Sequence, residues 1–259
     1  YKDDFRAATG MNTVAEVGAK LVVDFYDKCD EVWAVSQSAA ATLHSYGFKR
    51  RIIVMPNGSD EQTVDPADKL KAAKEFGLGT ESIFLFVGQQ DWKKNIERIL
   101  LSAAELKKKN LVFKLVLTGM GPHSEEIAKK ASDLGLDDSM VYTGHVSDSS
   151  LLAGLYQCAD LFVFPSLYDT AGLVVFEAAS FGTPSVVIRG SSASEPITDG
   201  VNGFLCDDDT ADLARVMENA IKDKENTVRI GLEAKRTIPK NWSGIMDTVL
   251  ERYSRLINK

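Results

Sequence analysis

Residues 161–181 read LFVFPSLYDTAGLVVFEAASF, and the rest of the chain is best understood outward from them. The apolar run Leu161 to Phe164 predicts a strand buried on both faces. Residues 165–170, opening on Pro165, predict a loop, and residues 172–181 a short helix. The loop therefore ends at a helix N-terminus, where the first backbone N–H groups lack intrahelical partners and the dipole favours an anion. A phosphate is expected on Ala171, Gly172 and Leu173, with no Gly172 side chain to hold it off. Asp169 lies in the loop and Glu177 about 7 Å up the helix, at about 1.5 Å per residue. One carboxylate on each side of an anion site suits a ligand with phosphate in its middle, such as a nucleotide sugar. The plainer alternative makes Asp169 a turn residue and Glu177 a solvated helix carboxylate.

Around this stretch strands and helices alternate. Strands are predicted at 83–87, 112–118, 141–143 and 185–188, with helices over 68–76, up to Lys109, over 124–134 and from an Asp148 cap through Cys158. This rhythm predicts an α/β fold with a doubly wound parallel sheet. In such sheets ligands bind beyond the carboxyl ends of the strands. The segments Gly88 to Asn95, Gly119-Met120-Gly121-Pro122 and Gly144-His145-Val146-Ser147 all fall there. Before this set come a connector (residues 1–18), a helix over 19–29, a strand over 31–35 and a helix from Ser36 to Tyr46 closed by Gly47. A strand over 52–55 then leads into a turn at Pro56-Asn57-Gly58. After it, Asp199-Gly200-Val201-Asn202-Gly203 reads as tight turns beside a strand over 204–206, and helices are expected over 212–222, 227–237 and 242–257.

Composition narrows the classes. With 44% hydrophobic residues the chain can build a core, and a net charge of -7 gives no footprint for nucleic acid. Cys29, Cys158 and Cys206 lie far apart in apolar surroundings, as expected of reduced cysteines in a cytoplasmic protein. No apolar run approaches the roughly 18 to 20 residues of a membrane-spanning helix. No Cys/His cluster has metal-ligand spacing, and neither a GxSxG elbow nor a GxxxxGK[ST] loop occurs. The chain begins at Tyr1, so a segment upstream of it is expected.

The pattern Asp169-x7-Glu177, preceded by Pro165-Ser166-Leu167-Tyr168 and followed by Ala178-Ala179-Ser180-Phe181-Gly182-Thr183-Pro184, resembles the retaining glycosyltransferases of family 4 (group 1), which have the GT-B fold. There the motif is Glu-x7-Glu. The resemblance implies that Glu177 holds the donor ribose and that Asp169, one methylene shorter than the usual Glu, lies near the transferred sugar. It also implies that Gly88 and Lys94 match a loop whose lysine neutralises the donor diphosphate. The family's arginine position in that loop holds Gln89, which donates hydrogen bonds but carries no charge. Lys93 or Arg189 is a candidate to compensate. By the same resemblance His145 and Val146 lie near the nucleobase, Gly119 allows close backbone approach, and Ser191-Ser192 replaces two glycines.

The expected organisation is residues 1–60 as the end of an acceptor-side domain, 61–240 as the donor-binding Rossmann-like domain, and 241–259 as a helix packing back across the domains, with a hinge at 59–66. The implied activity is transfer of a hexose from a nucleoside-diphosphate sugar, UDP- or GDP-linked, to a hydroxyl on a glycan or lipid-linked acceptor. No metal or other cofactor is implied. The implied partners are the nucleotide sugar, the acceptor and the remainder of an N-terminal domain, in a cytoplasmic protein whose peripheral membrane association is left open. A nucleotide-sugar-binding module without turnover and a GT-B epimerase remain the alternatives.

Overall fold

The computed structural model describes residues 12–59 and 62–258. These divide into two compact units, one of residues 58–241 and one of residues up to 57 together with 242 onward.

The larger unit is built on a parallel sheet of β3 (Ser82–Val87), β4 (Phe113–Thr118), β5 (Met140–Gly144), β6 (Leu161–Phe164), β7 (Ser185–Ile188) and β8 (Phe204–Cys206), in the order β5-β4-β3-β6-β7-β8. The chain winds outward from β3 in one direction and then resumes from β6 in the other. The carboxyl ends of β3 and β6 therefore adjoin at the point where strand order reverses, the place where open α/β sheets leave a crevice. Right-handed crossovers running in opposite directions put α4 (Ile96–Lys108) and α5 (Ser124–Asp133) on one face, and α6 (Ser149–Cys158) and α7 (Leu173–Ser180) on the other. The central strands are predominantly apolar because both faces are covered, with Phe84, Leu85, Phe86, Phe162 and Phe164 all buried. Also in this unit are α3 (Pro66–Glu75), α8 (Thr210–Lys222) and α9 (Lys224–Thr237).

Local chemistry fixes the helix ends. Asp148 caps α6, accepting from the amides of Ser150 (2.9 Å) and Leu151 (3.3 Å). A hydrogen bond from Lys71 of α3, followed by that from the Ser150 hydroxyl, holds the Asp148 carboxyl well below its usual range. Asp209 caps α8 through the Asp212 amide at 2.9 Å. Helices α3 and α6 pack so closely that a Cβ on Gly154 would lie 2.1 Å from the Asp68 carbonyl oxygen.

In the smaller unit β1 (Val32–Ala34) and β2 (Ile52–Val54) pair in parallel around α2 (Gln37–Ser45), capped by Ser36 through the Ala39 amide at 3.0 Å. Here α10 (Trp242–Ile257) meets β1 through Tyr253 on Trp33, with ring centroids 5.5 Å apart, and through Arg252 with Glu31 at 3.2 Å.

Two expectations are corrected. Residues 12–18 are not connector: α1 (Asn12–Tyr26) begins at Asn12 and buries the small residues Ala15, Gly18 and Ala19. Close packing of that small-residue face outweighs the weak helix propensity of Thr13, Val14, Val17 and Gly18. Residues 1–11 of the expected connector lie outside the described residues. Pro56-Asn57-Gly58 forms no turn, because the next residue is drawn into a bridge with Asn241, the Ser59 amide donating to the Lys240 carbonyl at 2.8 Å. Residues 60–61 of the expected hinge lie outside the described residues. Among the described residues no helix is long and apolar enough to cross a membrane, and Cys29, Cys158 and Cys206 are unpaired thiols.

Two outcomes are expected. Gly154→Ala forces α3 and α6 apart and lowers the urea unfolding free energy by about 1–3 kcal/mol. Burial, reinforced by Asp212, Asp207 and Asp208, pushes the Cys206 thiol from 9.0 up to about 12. The folded chain thus keeps the thiol protonated where the unfolded chain ionises it. The resulting stability is fully present below pH 9.0 and is lost as pH rises toward about 12. Ellman's reagent at pH 8 should modify Cys206 only after denaturation, whereas the partly exposed Cys29 and Cys158 are accessible in the folded chain; rapid labelling of Cys206 itself in a Cys29→Ser, Cys158→Ser background would contradict this.

Candidate functional site

The crevice at the strand-order reversal is lined by two loops. The loop after β3 runs from Gly88 into a single 3-10 turn, Trp92–Lys94, whose start is capped by Asp91 through the Lys93 amide at 2.9 Å. Asn95 ends that turn with φ 59, a left-handed conformation that asparagine tolerates better than most side chains. From there its amide donates to the Pro165 carbonyl (3.2 Å) and to Asp208 (3.0 Å), which Arg98 also holds at 2.9 Å. The β3 and β6 loops are thereby tied together. Asn95 was not legible as a site residue; its place directly after Lys94 at a helix start was the one available signal.

Across the crevice, Lys94 Nζ donates to Asp169 Oδ2 at 2.9 Å and to the Tyr168 carbonyl at 3.4 Å, and lies 5.8 Å from the centroid of the Phe164 ring. The two side chains are 22% and 20% exposed, so the pair is shielded without being cut off from solvent. Asp169 Oδ1 accepts from the amides of Thr170 (3.0 Å) and Gly172 (3.1 Å). Ser192, in the turn after β7, donates its hydroxyl to the Asp169 carbonyl. The carboxylate therefore sits in an anion cradle made of one lysine and two backbone amides. The Gly172 amide, where a phosphate is expected, is thus taken by Asp169 in the turn role that the plainer alternative gave it. An aspartate is short enough to fold back onto its own turn and accept those amides itself.

Gly172 has φ 56, and a Cβ there would lie 2.8 Å from that of Ala193, so glycine is required by conformation and by space. The amides of Leu173 and Val174 have no acceptor among the described residues. Ala171 is buried and Leu173 exposed. Glu177, half-buried on α7, accepts from the hydroxyl of the buried Tyr156 at 2.8 Å.

The remaining candidates divide. The Gly88 amide donates to the Thr118 carbonyl at 3.0 Å, and a Cβ on Gly119 would lie 2.1 Å from the Gly88 carbonyl oxygen. Gly119 is thus needed for the two loops to pack backbone against backbone, a role beside the ligand approach implied for it. Gln89 is exposed, while its neighbour Gln90 is buried and donates to the Gly119 carbonyl at 2.8 Å. His145 is exposed and Val146 half-buried beyond β5 at the sheet edge, and no hydrogen bond, ion pair or ring contact joins either to the Lys94–Asp169 cluster. Lys93 is exposed, and Arg189 is engaged by Asp199 (3.3 Å) and Asp207 (3.4 Å). Asn202 closes its own turn by accepting from the Thr198 amide at 2.6 Å and donating to Thr237 at 3.0 Å, a structural part. Among the described residues no group of three or more His, Cys, Asp and Glu is placed to hold a metal ion.

Residues 68–237 match the family model of the glycosyl transferases group 1. The chain is 28% identical over 251 residues to a D-inositol 3-phosphate glycosyltransferase of Nocardia farcinica, covering 92% of the chain and 55% of that protein. It thus spans about half the length of the curated relatives it matches. Its fold superposes with TM-score 0.83 on Anabaena Alr3699/HepE, solved in complex with UDP and glucose, at 21% identity over 92% of this chain and 67% of that one. The sucrose-phosphate synthase of Thermosynechococcus elongatus gives TM-score 0.83 at 23% identity, over 94% and 62%.

Asn95 supplies the test of how the crevice is built. Asn95→Gly keeps the left-handed backbone and loses only side-chain hydrogen bonds, a loss of about 1 kcal/mol in urea unfolding. Asn95→Ala loses the same bonds and adds about 1–2 kcal/mol of left-handed strain. Equal losses would mean that the backbone conformation carries no strain.

Proposed function

The chain belongs to the group 1 glycosyl transferases, with the mostly parallel α/β fold of the GT-B type, and from that membership we propose that it holds the donor site of a retaining family 4 glycosyltransferase. The reaction proposed is transfer of a hexose from a nucleoside-diphosphate sugar, UDP- or GDP-linked, to a hydroxyl of a glycan or lipid-linked acceptor. The observation that carries this is the meeting of Lys94 and Asp169 at the strand-order reversal, beside the N-terminus of α7. Residues at that point converge on an anion although they lie 75 positions apart in the chain.

Each group then has a chemical task. As the bond from the anomeric carbon to the diphosphate breaks, negative charge gathers on the departing phosphate. Lys94 Nζ and the amides of Gly172, Leu173 and Val174 are the groups in reach of charge at that place. For Lys94 and the Gly172 amide to serve the diphosphate, they must exchange the Asp169 carboxylate for it. One anion replaces another, so neither cation nor amide passes through a stage without a partner. The released carboxylate lies beside the sugar, where positive character develops at the anomeric carbon. Glu177 takes the ribose hydroxyls. Gly88 and Gln89 border the diphosphate, and His145 and Val146 are assigned to the base side. The proposal uses no cofactor, since lysine and helix amides are its charge-neutralising groups.

In the same proposal residues 61–240 bind the donor, residues 1–60 belong to the acceptor side, and the helix beginning at Trp242 belongs with the latter, where Tyr253 and Arg252 already tie it to β1. The isolated chain is expected to bind donor and transfer little. Its three unpaired cysteines favour a cytoplasmic setting.

Calorimetric titration with UDP, GDP and ADP tests the reading. At least one should bind, and Lys94→Ala should weaken that binding roughly 10- to 100-fold, the usual range for a lost hydrogen bond to a charged group. Unchanged affinity would remove Lys94 from the site.

A further inference from the structure

We infer that Tyr156 is a positioning residue for Glu177, holding one carboxylate oxygen so that the other is presented to the ribose of a nucleoside diphosphate. The inference rests on the assignment of Glu177 to ribose made above. Tyr156 lies on α6 and is 1% exposed, and its hydroxyl donates to Glu177 Oε2 at 2.8 Å. No other protein partner of the Glu177 carboxylate occurs among the described residues, so Oε1 stands free to accept.

The phenol is held on every side. Its ring stacks on Phe181, with centroids 5.6 Å apart and planes at 7°, and packs on Phe162 at 5.7 Å. The backbone of Tyr156 is pinned as well, its carbonyl accepting from the Thr183 hydroxyl at 2.6 Å. A phenylalanine would satisfy all of this packing. The hydroxyl is the feature that packing leaves unexplained, because a buried hydroxyl without a partner is unfavourable and this one has Glu177 as its acceptor.

A glutamate side chain has several soft torsions, and one that moves freely loses rotamer entropy when it binds. A rigid donor on Oε2 removes that freedom beforehand, and charge assistance strengthens the bond. Burial and the neighbouring Glu177 charge raise the Tyr156 pKa well above its usual value, so the phenol stays a donor throughout the working range. The α6–α7 face of the sheet thus supplies both the carboxylate and the group that aims it.

The test uses the 259-residue chain and whichever of UDP, GDP and ADP binds, together with the 2′,3′-dideoxy form of that nucleotide and inorganic pyrophosphate. Tyr156→Phe should weaken the ribonucleotide about tenfold and the other two ligands less than about twofold. In a Glu177→Gln background the same substitution should add no further loss. Equal weakening of all three ligands, no weakening of any, failure of Tyr156→Phe to fold, or a full additional loss in the Glu177→Gln background would each overturn the inference. If Glu177→Gln alone leaves the ribonucleotide affinity unchanged, the ribose assignment itself falls, whatever Tyr156→Phe does. Should none of the three nucleotides bind the unchanged chain, the donor-site reading falls and the inference with it.

Discussion

The carboxylate of Asp169, shared between Lys94 Nζ and the amides of Thr170 and Gly172, is the contact on which the crevice depends. It joins the loop after β3 to the loop after β6, where the sheet gives no hydrogen-bonded continuity because the strands have ended. An exposed ion pair contributes little to stability, since solvent screens it and two long side chains must be ordered to form it. This pair is only about one-fifth exposed, and its acceptor is also fixed by backbone donors. Much of the ordering of Asp169 is thus done by its own turn, and Lys94 meets an acceptor already in place.

Beneath this contact a column of aromatic rings runs down β6. Lys94 lies over Phe164, Phe164 stacks on Phe162 with centroids 5.9 Å apart, and Phe162 packs on Tyr156, whose hydroxyl reaches Glu177. Alternate residues of a strand share a face, so Phe162 and Phe164 form the column through the two-residue repeat of β6 alone. Both charged groups assigned to the donor therefore rest on one rigid, buried support. Relative placement of Lys94 and Glu177 is thus a matter of core packing as well as of loop conformation.

What the sequence made legible follows the range of the interactions involved. The strand at 161–164, the helix start at Gly172 and the caps at Ser36 and Asp148 depend on residues within a few positions of each other, and the structure has them. Carboxylates of the x7 motif were legible as a pair of charges, but their partners were not. Lys94 finds Asp169 across 75 residues and Tyr156 finds Glu177 across 21, and both encounters are set by strand order. Strand order is in turn a choice among non-local pairings that a pattern of apolar residues leaves open. The one local signal that misled, Pro56-Asn57-Gly58, failed because the bridge between Ser59 and Asn241 lies beyond the horizon of turn chemistry.

That position 169 holds aspartate and not glutamate acquires a physical meaning from this geometry. A glutamate at the position has one more methylene, which lets its carboxylate extend past its own turn. An aspartate has the reach to accept from amides one and three residues onward within its own turn. In this chain the anion-binding amides and the lysine are consequently organised around a carboxylate of the protein itself. On the donor reading proposed above, a diphosphate entering the crevice has to displace that carboxylate, a demand that a monoanionic ligand meets poorly and a polyanion meets well. On that reading the same short side chain narrows the reach toward a sugar and sharpens selection for phosphate, while the uncharged Gln89 weighs on that balance in the opposite sense.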